Sequence, residues 1–354
     1  MVGLALATVR LAGNSDMEKW NEFVLHSSKA TIFHRFEWGQ VLNKAYGYKI
    51  HSLIIESDGQ VRGILPLARV RSRLFGDRLI SMPFADYGGS VADTEESADI
   101  LRINAEALTR KLGAEYLEIR VPSRKIIQEG YQKFLSGHSY LVDLTPSEEK
   151  IWSGFDSRTR SGIRRAKRRG VKVDEVSDPT KLKEYYVLYK STMRRHGSPC
   201  HPYRFFEELW NVLYPVRLIK ILLGRVNERT VAGALFLIHK GTIHYWSGAT
   251  LDEARSTSAS NLIFWNIILQ GKKLGCHSLD MGRTRPGTGV DFFKKGWGGR
   301  SIELNHLYYT PNQIKIHPPD PLASKYRLMS MVWRKMPFFL TQSIGPRVIS
   351  AIAL

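Results

Sequence analysis

The chain has 354 residues, enough for two domains with separate cores, and its 43% hydrophobic and 24% charged content is that of a globular protein rather than a disordered or membrane-embedded one. Lysine and arginine outnumber aspartate and glutamate 52 to 33, a formal net charge of +19, so the surface must attract anions such as phosphates, nucleic acid or an acidic membrane. The two cysteines, Cys200 and Cys276, are too few for a disulfide framework and suit a reducing compartment.

In chain order, the apolar start Val2 to Val9 lacks a basic leader and a cleavage site, and no later run is long enough and free enough of Pro, Gly and charge to span a bilayer. A cytoplasmic location is expected. Residues 1–145 read as one α/β unit. Helices are expected around Met17 to Ser27 and Trp38 to Tyr46, followed by strands Lys49 to Glu56 and Val61 to Val70 joined through the hairpin signal Asp58-Gly59. A helix from Glu95 to Leu112 stops at Gly113, and Tyr116 to Arg120 is the next strand.

Residues 146–310 repeat this plan. Lys111-Leu-Gly with Leu117-Glu118-Ile119 matches Lys273-Leu-Gly with Leu279-Asp280-Met281, and Gly63-Ile-Leu-Pro-Leu67 matches Gly233-Ala-Leu-Phe-Leu237 in the hairpin before each, as a duplicated α/β domain requires. Thr145-Pro146-Ser147-Glu148 reads as a capping box with proline at the first helical position, marking the boundary. Arg158, Arg160, Arg164, Arg165, Lys167, Arg168 and Arg169 then follow with no carboxylate among them. They form either a solvated helix face or a phosphate-binding one, with Arg158 and Arg160 at the helix start, where the dipole favours an anion. Leu182 to His196 reads as a helix with Tyr185, Tyr186 and Tyr189 near its apolar side, and Ser258 to Leu274 as a strongly apolar helix after the strand end His244 to Ala249. Residues 311–354 form an amphipathic tail interrupted by Pro337, Gly345 and Pro346, which either lies in a membrane interface or packs on the body as a helix pair.

The stretch from Leu279 to Gly299 has the composition of a site. Glycines at 282, 287, 289, 296, 298 and 299 surround Asp280, Asp291, Arg283, Arg285, Lys294, Lys295, Phe292, Phe293 and Trp297. It reads as either a basic glycine-rich hairpin or a loop shaped for close approach to a ligand.

Gly282-Arg283-Thr284, Gly287-Thr288-Gly289 and Phe293-Lys294-Lys295-Gly296-Trp297-Gly298 resemble the late F-K-x-x-[FW]-G motif of the FemAB-like peptidyltransferases. The resemblance extends over most of the chain. It includes Phe33 to Trp38, the turn Pro83 to Gly89 with Tyr87, the run Arg158-x-Arg160-x-x-Ile163-Arg164, Tyr245, and Trp333-x-x-x-Pro337. It is nearest to the FemAB-related, BioF2-like acyltransferases of the GNAT superfamily. Such resemblance implies two fused GNAT-type domains, each a mixed, mostly antiparallel sheet flanked by helices, with the acceptor in a channel between them. It further implies that Lys294 lies beside the acyl-transfer centre, that Tyr245 lines the acceptor channel, and that Tyr87 and Arg164 belong to substrate-binding segments. In the better-understood members the donor is an aminoacyl-tRNA and the acceptor a peptidoglycan precursor bearing a diphosphate. Two departures bear on this: Leu42, not a basic residue, follows Trp38-Gly-Gln-Val41, and no heptad stretch supplies the coiled-coil arm of some members.

The sequence has no Walker loop, G-x-G-x-x-G, H-E-x-x-H or G-x-S-x-G, and the pairs Cys200-His201 and Cys276-His277 match no zinc spacing. Neither a metal nor another cofactor is expected. What remains is direct attack of an amine on an activated acyl group, which needs alignment and oxyanion stabilisation more than side-chain chemistry. Lys294, set among Phe293 and Trp297, is the candidate oxyanion group. Asp280 is either the proton acceptor or a salt-bridge partner of Arg283. The expected function is aminoacyl or acyl transfer to an amine of a phosphate-bearing envelope precursor, with peripheral contact to an anionic membrane left open. An acyl-CoA donor is the first alternative, although Arg73-Leu-Phe-Gly76-Asp-Arg78, the string nearest a pyrophosphate loop, leads into a strand. The second is a non-catalytic RNA- or membrane-binding protein, whose binding falls steeply with salt and ignores Lys294.

Overall fold

The computed structural model describes residues 8–73, 75–122, 130–317 and 324–353. Most of the apolar start Val2 to Val9, Leu74 in the string near the hairpin turn, and Leu354 at the end of the tail lie outside them. The chain divides into two compact units, one of residues 1–136, 303–318 and 350–354, the other of 137–302 and 319–349.

The first unit begins with β1 (Thr8–Leu11), α1 (Met17–His26) and α2 (Phe36–Tyr46), then β2 (Lys49–Ile50), β3 (Leu53–Ser57), β4 (Gln60–Leu65), β5 (Ala68–Ser72), β6 (Gly76–Ile80), β7 (Val91–Ala92), α3 (Glu95–Leu112) and β8 (Tyr116–Pro122). The two long strands expected over 49–56 and 61–70 are each broken in two. Pro66 has no N–H to give the ladder, and Leu67 instead donates to Ser52 Oγ while its carbonyl accepts from His51 N at 2.8 Å. Alternation along β3 and β4 builds two cores. Leu53, Ile55 and Leu65 pack with Leu101 and Ala105 of α3, whereas Ile54 and Ile64 face Trp20 and Val24 of α1.

β9 (Tyr131–Asp143) carries the chain into the second unit. There follow α4 (Glu148–Gly154), α5 (Ser157–Arg168), β10 (Lys172–Glu175), α6 (Pro179–His196), α7 (Tyr203–Leu213), β11 (Ile219–Val226), β12 (Arg229–His239), β13 (Thr242–Thr250), α8 (Ala259–Lys273), β14 (Ser278–Asp280) and α9 (Gly289–Lys295). β15 (Arg300–Tyr309) returns to the first unit, and α10 (Ser324–Lys335) and α11 (Phe338–Ile352) follow. α8 is apolar on nearly every side because it lies between β11 to β13 and α5.

The repeated plan is borne out in outline, although β3 and β4 belong to a separate sheet from β5, β6 and β8 whereas β11 to β14 are neighbours in one. β3 pairs antiparallel with β4 and β5 with β6, and α3 leads to β8, which lies parallel to β6. In the second unit β11, β12 and β13 pair antiparallel, and α8 leads to β14, parallel to β13. Each crossover helix ends at a left-handed glycine, Gly113 and Gly275. The last strand of each plan is then flanked by a strand that enters along the chain from the other unit: β15 pairs with β8, and β9 with β14.

Four expectations are corrected. The division into 1–145, 146–310 and a separate tail 311–354 does not match the units, because β9 and β15 cross between them and the tail is shared. The cap of α4 is Ser147, whose Oγ accepts from Lys150 N, while Thr145 is turned to Asp143. Gly289–Lys295 is a helix rather than a hairpin, started by Thr288, whose hydroxyl accepts from Asp291 N. Pro337 separates the two tail helices, but Gly345 and Pro346 sit inside α11, Gly345 lying close against Cys200. Among the described residues no helix is long and apolar enough to cross a membrane.

Candidate active site

The pairing of β13 with β14 covers only Thr242 to His244 against Ser278 to Asp280. β13 runs on to Thr250 alone of the two, and its register against β12 shifts between Leu235 and Phe236, so that it carries an extra residue at Trp246. A cleft of about 650 Å³ opens where β13 leaves β14, with Tyr245, Gly248, Ala249, Phe264 and Phe293 among its walls. It stands beyond the carboxyl end of a parallel pair, the usual place for a ligand in sheets of this kind.

Lys294 is only 4% exposed. Its ammonium donates to the carbonyls of Gly282 (2.8 Å) and Arg283 (2.9 Å) and lies 5.2 Å from the centre of the Tyr245 ring. The left-handed φ of +68° at Gly282 turns the chain after β14, a conformation that a residue with a Cβ adopts only under strain. Asp280 is buried at the end of β14. Its Oδ1 accepts from Ser139 Oγ and from the Gly282 amide (2.8 Å), and Oδ2 lies 3.3 Å from His244 Nδ1. Burial pushes the Tyr245 phenol well above its ordinary range, so the ring is neutral.

A second carboxylate holds the loop that leads into α9. Asp291 accepts from His138 Nε2 (2.7 Å), Tyr140 OH (3.0 Å) and the Gly287 amide (2.9 Å). Burial alone would raise the Asp291 carboxyl, but the Gly287, His138 and Tyr140 hydrogen bonds outweigh it and hold the group below the usual aspartate range. Burial and the neighbouring carboxylate push the Tyr140 phenol up to about 12.

A second cleft of about 750 Å³ shares Ser258, Asn261, Gly289 and Phe293 with the first, and Arg158, Arg165 and Lys295 line it. Arg195, Arg255 and Arg334 line the first cleft. Among the described lining residues the one carboxylate is Asp156, whose Oδ1 accepts from Thr159 N at 2.6 Å. The joined groove is therefore strongly positive. Gly162 lines the second cleft, and a Cβ added there would stand 2.8 Å from the side-chain amide carbon of Asn261, which would have to turn aside.

The structure brings together Lys294, Asp280, Tyr245, Phe293 and the backbone of Arg283, and sets Arg158 in the adjoining cleft. The other residues expected at the site are elsewhere. Trp297 is a core side chain, 0% exposed, packed on Phe155, Phe264 and Phe293. Arg160 turns back to the carbonyls of Ser153 and Phe155, and Arg164 stacks over Trp152, 5.5 Å from the ring centre. The helical period explains this split, since 158, 162 and 165 share one face of α5 and 160 and 164 another. Tyr87 is buried in the first unit near Phe33, with ring centres 6.4 Å apart. That unit has its own smaller cavity of about 260 Å³, lined by Trp20, Arg35, Gln40, Pro66 and Met82 among others. Sequence reasoning missed Arg195, Arg255 and Arg334, which come from α6, from the turn before α8 and from α10, with no local pattern to join them.

Residues 157–295 match the acetyltransferase (GNAT) domain. The chain is 22% identical over 261 residues to the UDP-N-acetylmuramoylpentapeptide-lysine N(6)-alanyltransferase of Weissella viridescens, covering 67% of this chain and 75% of that one. Its fold is similar to that of FemX, with a TM-score of 0.69 at 16% identity over 91% of this chain and all of the other. The structure of L-PGS from Bacillus licheniformis is similar too, with a TM-score of 0.57 at 15% identity, covering 90% of this chain and 96% of that one. Apart from Arg334, the residues lining the cleft at the parting of β13 and β14 thus lie within the matched GNAT domain, in a chain whose fold is similar to that of FemX.

Proposed function

We propose that the chain is an N-acyltransferase that moves an aminoacyl unit from aminoacyl-tRNA to an amine of a phosphate-bearing cell-envelope precursor, working at the inner face of the membrane. The observation that carries this reading is the groove of the second unit. Arg158, Arg165, Arg195, Arg255 and Arg334 line it, Tyr245 and Phe293 stand at its floor, and Lys294 is buried beneath Tyr245. A phosphodiester backbone suits the cations, and an aminoacyl ester suits the aromatic floor. The Weissella relative is, by its name, an alanyltransferase acting on the lysine of a UDP-linked muramoyl peptide, which supports both the reaction class and the acceptor class.

In this reaction the acceptor nitrogen attacks the ester carbonyl carbon. A C–N bond forms, the bond from that carbon to the ribose oxygen breaks, and the amine proton ends on the leaving hydroxyl. The ester is already activated, so the protein has to align the reactants and stabilise the oxyanion. Lys294 contributes positive potential under the cleft floor and fixes the 282–283 carbonyls, and the backbone of β13 near Gly248 and Ala249 offers polar groups along the wall. Asp280, with its oxygens committed to Ser139, Gly282 and His244, acts as a positioning residue.

A second reading, transfer from acyl-CoA, is favoured by the GNAT match and by Arg195 and Arg255 near the start of α8, where a pyrophosphate would also be held. Purified protein assayed with charged tRNA and with a panel of acyl-CoAs separates the two. Product formed from charged tRNA is the expected result, and product formed only from an acyl-CoA overturns the tRNA assignment.

A further inference from the structure

α10 is seated on the second unit by one face. Ser330 Oγ and Arg334 Nη2 each donate to His196 O at 3.3 Å, and Met336 O accepts from Arg194 Nη2 at 3.0 Å. The opposite face is open to solvent. Leu328 (59% exposed), Met331 and Val332 form a stripe at helical spacing, with Met329 beside it and Phe339 (69% exposed) just beyond at the start of α11. So many large apolar groups in one exposed patch mark an interaction surface.

The charges around it say what covers it. Arg327 and Lys335 are exposed on the same helix, and from residue 321 to the last residue the sequence holds no carboxylate, within a chain of net charge +19. A second copy would bring like charge against like charge. An apolar stripe flanked by long cationic side chains fits the boundary between acyl chains and anionic headgroups, where the aliphatic stems bury and the charged ends reach the phosphates. At 12 and 15 residues, α10 and α11 are suited to lie in that plane and not to cross it.

We infer that the outer face of α10, with the start of α11, docks on an anionic phospholipid surface. Arg334 lines the first cleft from the inner side of the same helix, so docking holds that cleft at the headgroup layer. This consequence for catalysis rests on the proposed transfer function, whereas the docking itself does not.

The full chain is tested by co-sedimentation with vesicles of mixed phosphatidylglycerol and phosphatidylcholine and with vesicles of phosphatidylcholine alone, without substrate. Wild type should bind the anionic vesicles selectively. Binding should weaken from roughly 0.1 M to roughly 1 M salt, over which the Debye length falls from about 10 to about 3 Å. Leu328→Glu with Val332→Glu should lose on the order of tenfold or more in vesicle affinity, since two apolar side chains no longer bury. Leu135→Glu with Val187→Glu makes the same charge change at exposed positions off this face and should bind as wild type. Thermal melting confirms that all variants fold. No sedimentation of wild type with anionic vesicles overturns the inference, as does unchanged binding by Leu328→Glu with Val332→Glu. A dimer in solution that this double substitution disperses also overturns it and gives the face to a second copy. Loss of transfer in Lys294→Met with normal vesicle binding leaves the inference standing, so the two readings fail separately.

Discussion

Glu118 and Asp280 stand at the same step of the repeated strand plan, each in the strand after the crossover helix and each taking a hydrogen bond from the flanking strand that arrives from the other unit. In the second unit the next residue but one is Gly282, the chain turns away, and a cleft opens above Lys294. In the first unit that place is taken by Arg120, which bonds Glu118 at 2.8 Å and gives its other donors to the carbonyls of Ala85 and Ala353 at 2.9 Å. His306 lies 3.2 Å from the same carboxylate, and Arg78 donates to the carbonyls of Ala351 and Ile352. Burial would raise the Glu118 carboxyl, but Arg120, His306 and Arg78 more than offset it and keep the group below the usual range. One copy of the module has kept an opening at this step, and the other has filled it with an ion pair and the chain's own last turn. Buried ionisable groups at equivalent positions thus serve placement in one unit and cohesion in the other.

The contrast can be broken most forcefully at Glu118. Glu118→Gln leaves Arg120 and Arg78 buried without their counter-charge and should cost about 3–5 kcal/mol of stability by denaturant titration. The folded fraction should keep its transfer rate, and loss of rate in that fraction would make the first unit catalytic. Next in size is Lys294→Met, expected to lower kcat by roughly 10²–10³ in the folded fraction and, because the Gly282 and Arg283 carbonyls lose their donor, to cost about 1–3 kcal/mol of stability. A near-normal kcat would remove Lys294 from the chemistry.

Smaller effects sharpen the picture. Arg195→Ala or Arg255→Ala should raise KM for the donor about tenfold, as expected for one lost charge-assisted contact, and leave kcat alone. A fall in kcat at unchanged KM would move the donor out of this cleft. The smallest effect is in pH. Burial pushes the His201 imidazole down to about 3 in the second unit. Its folded value lies below its unfolded one, so its contribution is complete above about pH 6.5 and declines towards pH 3 by at most about 1.4 kcal/mol per pH unit. Glu118, also depressed, begins to lose its contribution only below the ordinary glutamate range. His51 of the first unit is also lowered by burial. Hydrogen exchange, corrected for intrinsic rates, should therefore show both units losing protection below about pH 6.5, with His201→Phe flattening the slope in the second unit only. An unchanged slope in His201→Phe would show that His201 does not govern acid sensitivity there.

The crossover helices were legible because glycines at 113 and 275 and the Lys-Leu-Gly strings are local signals. The Asp58-Gly59 hairpin was legible for the same reason. α9 was not, because glycines at 287 and 289 and the weak helix formers between them and Lys294 suggest a loop, while the Thr288 cap and the packing of Phe293 and Lys294 decide the outcome. Trp297 was expected among the residues around Lys294 by company alone; only packing reveals that it fills the core beside Phe155. The basic run of α5 gave its charge but not its sorting, which depends on which face meets the groove. The choice of β15 as partner for β8, and of β9 for β14, joins segments more than a hundred residues apart, and no local pattern carries that information.

The crossing of β9 and β15 also governs how this protein is made. Growing from the ribosome at about 5–20 residues per second, the nascent chain reaches β15 about 9–36 s after β8. Until then one edge of β8 has no strand to take its hydrogen bonds, and such an edge invites wrong pairing. Truncation at residue 136 would freeze that condition, so a fragment meant to represent the first unit has to include residues 303–318 and 350–354 by fusion or circular permutation.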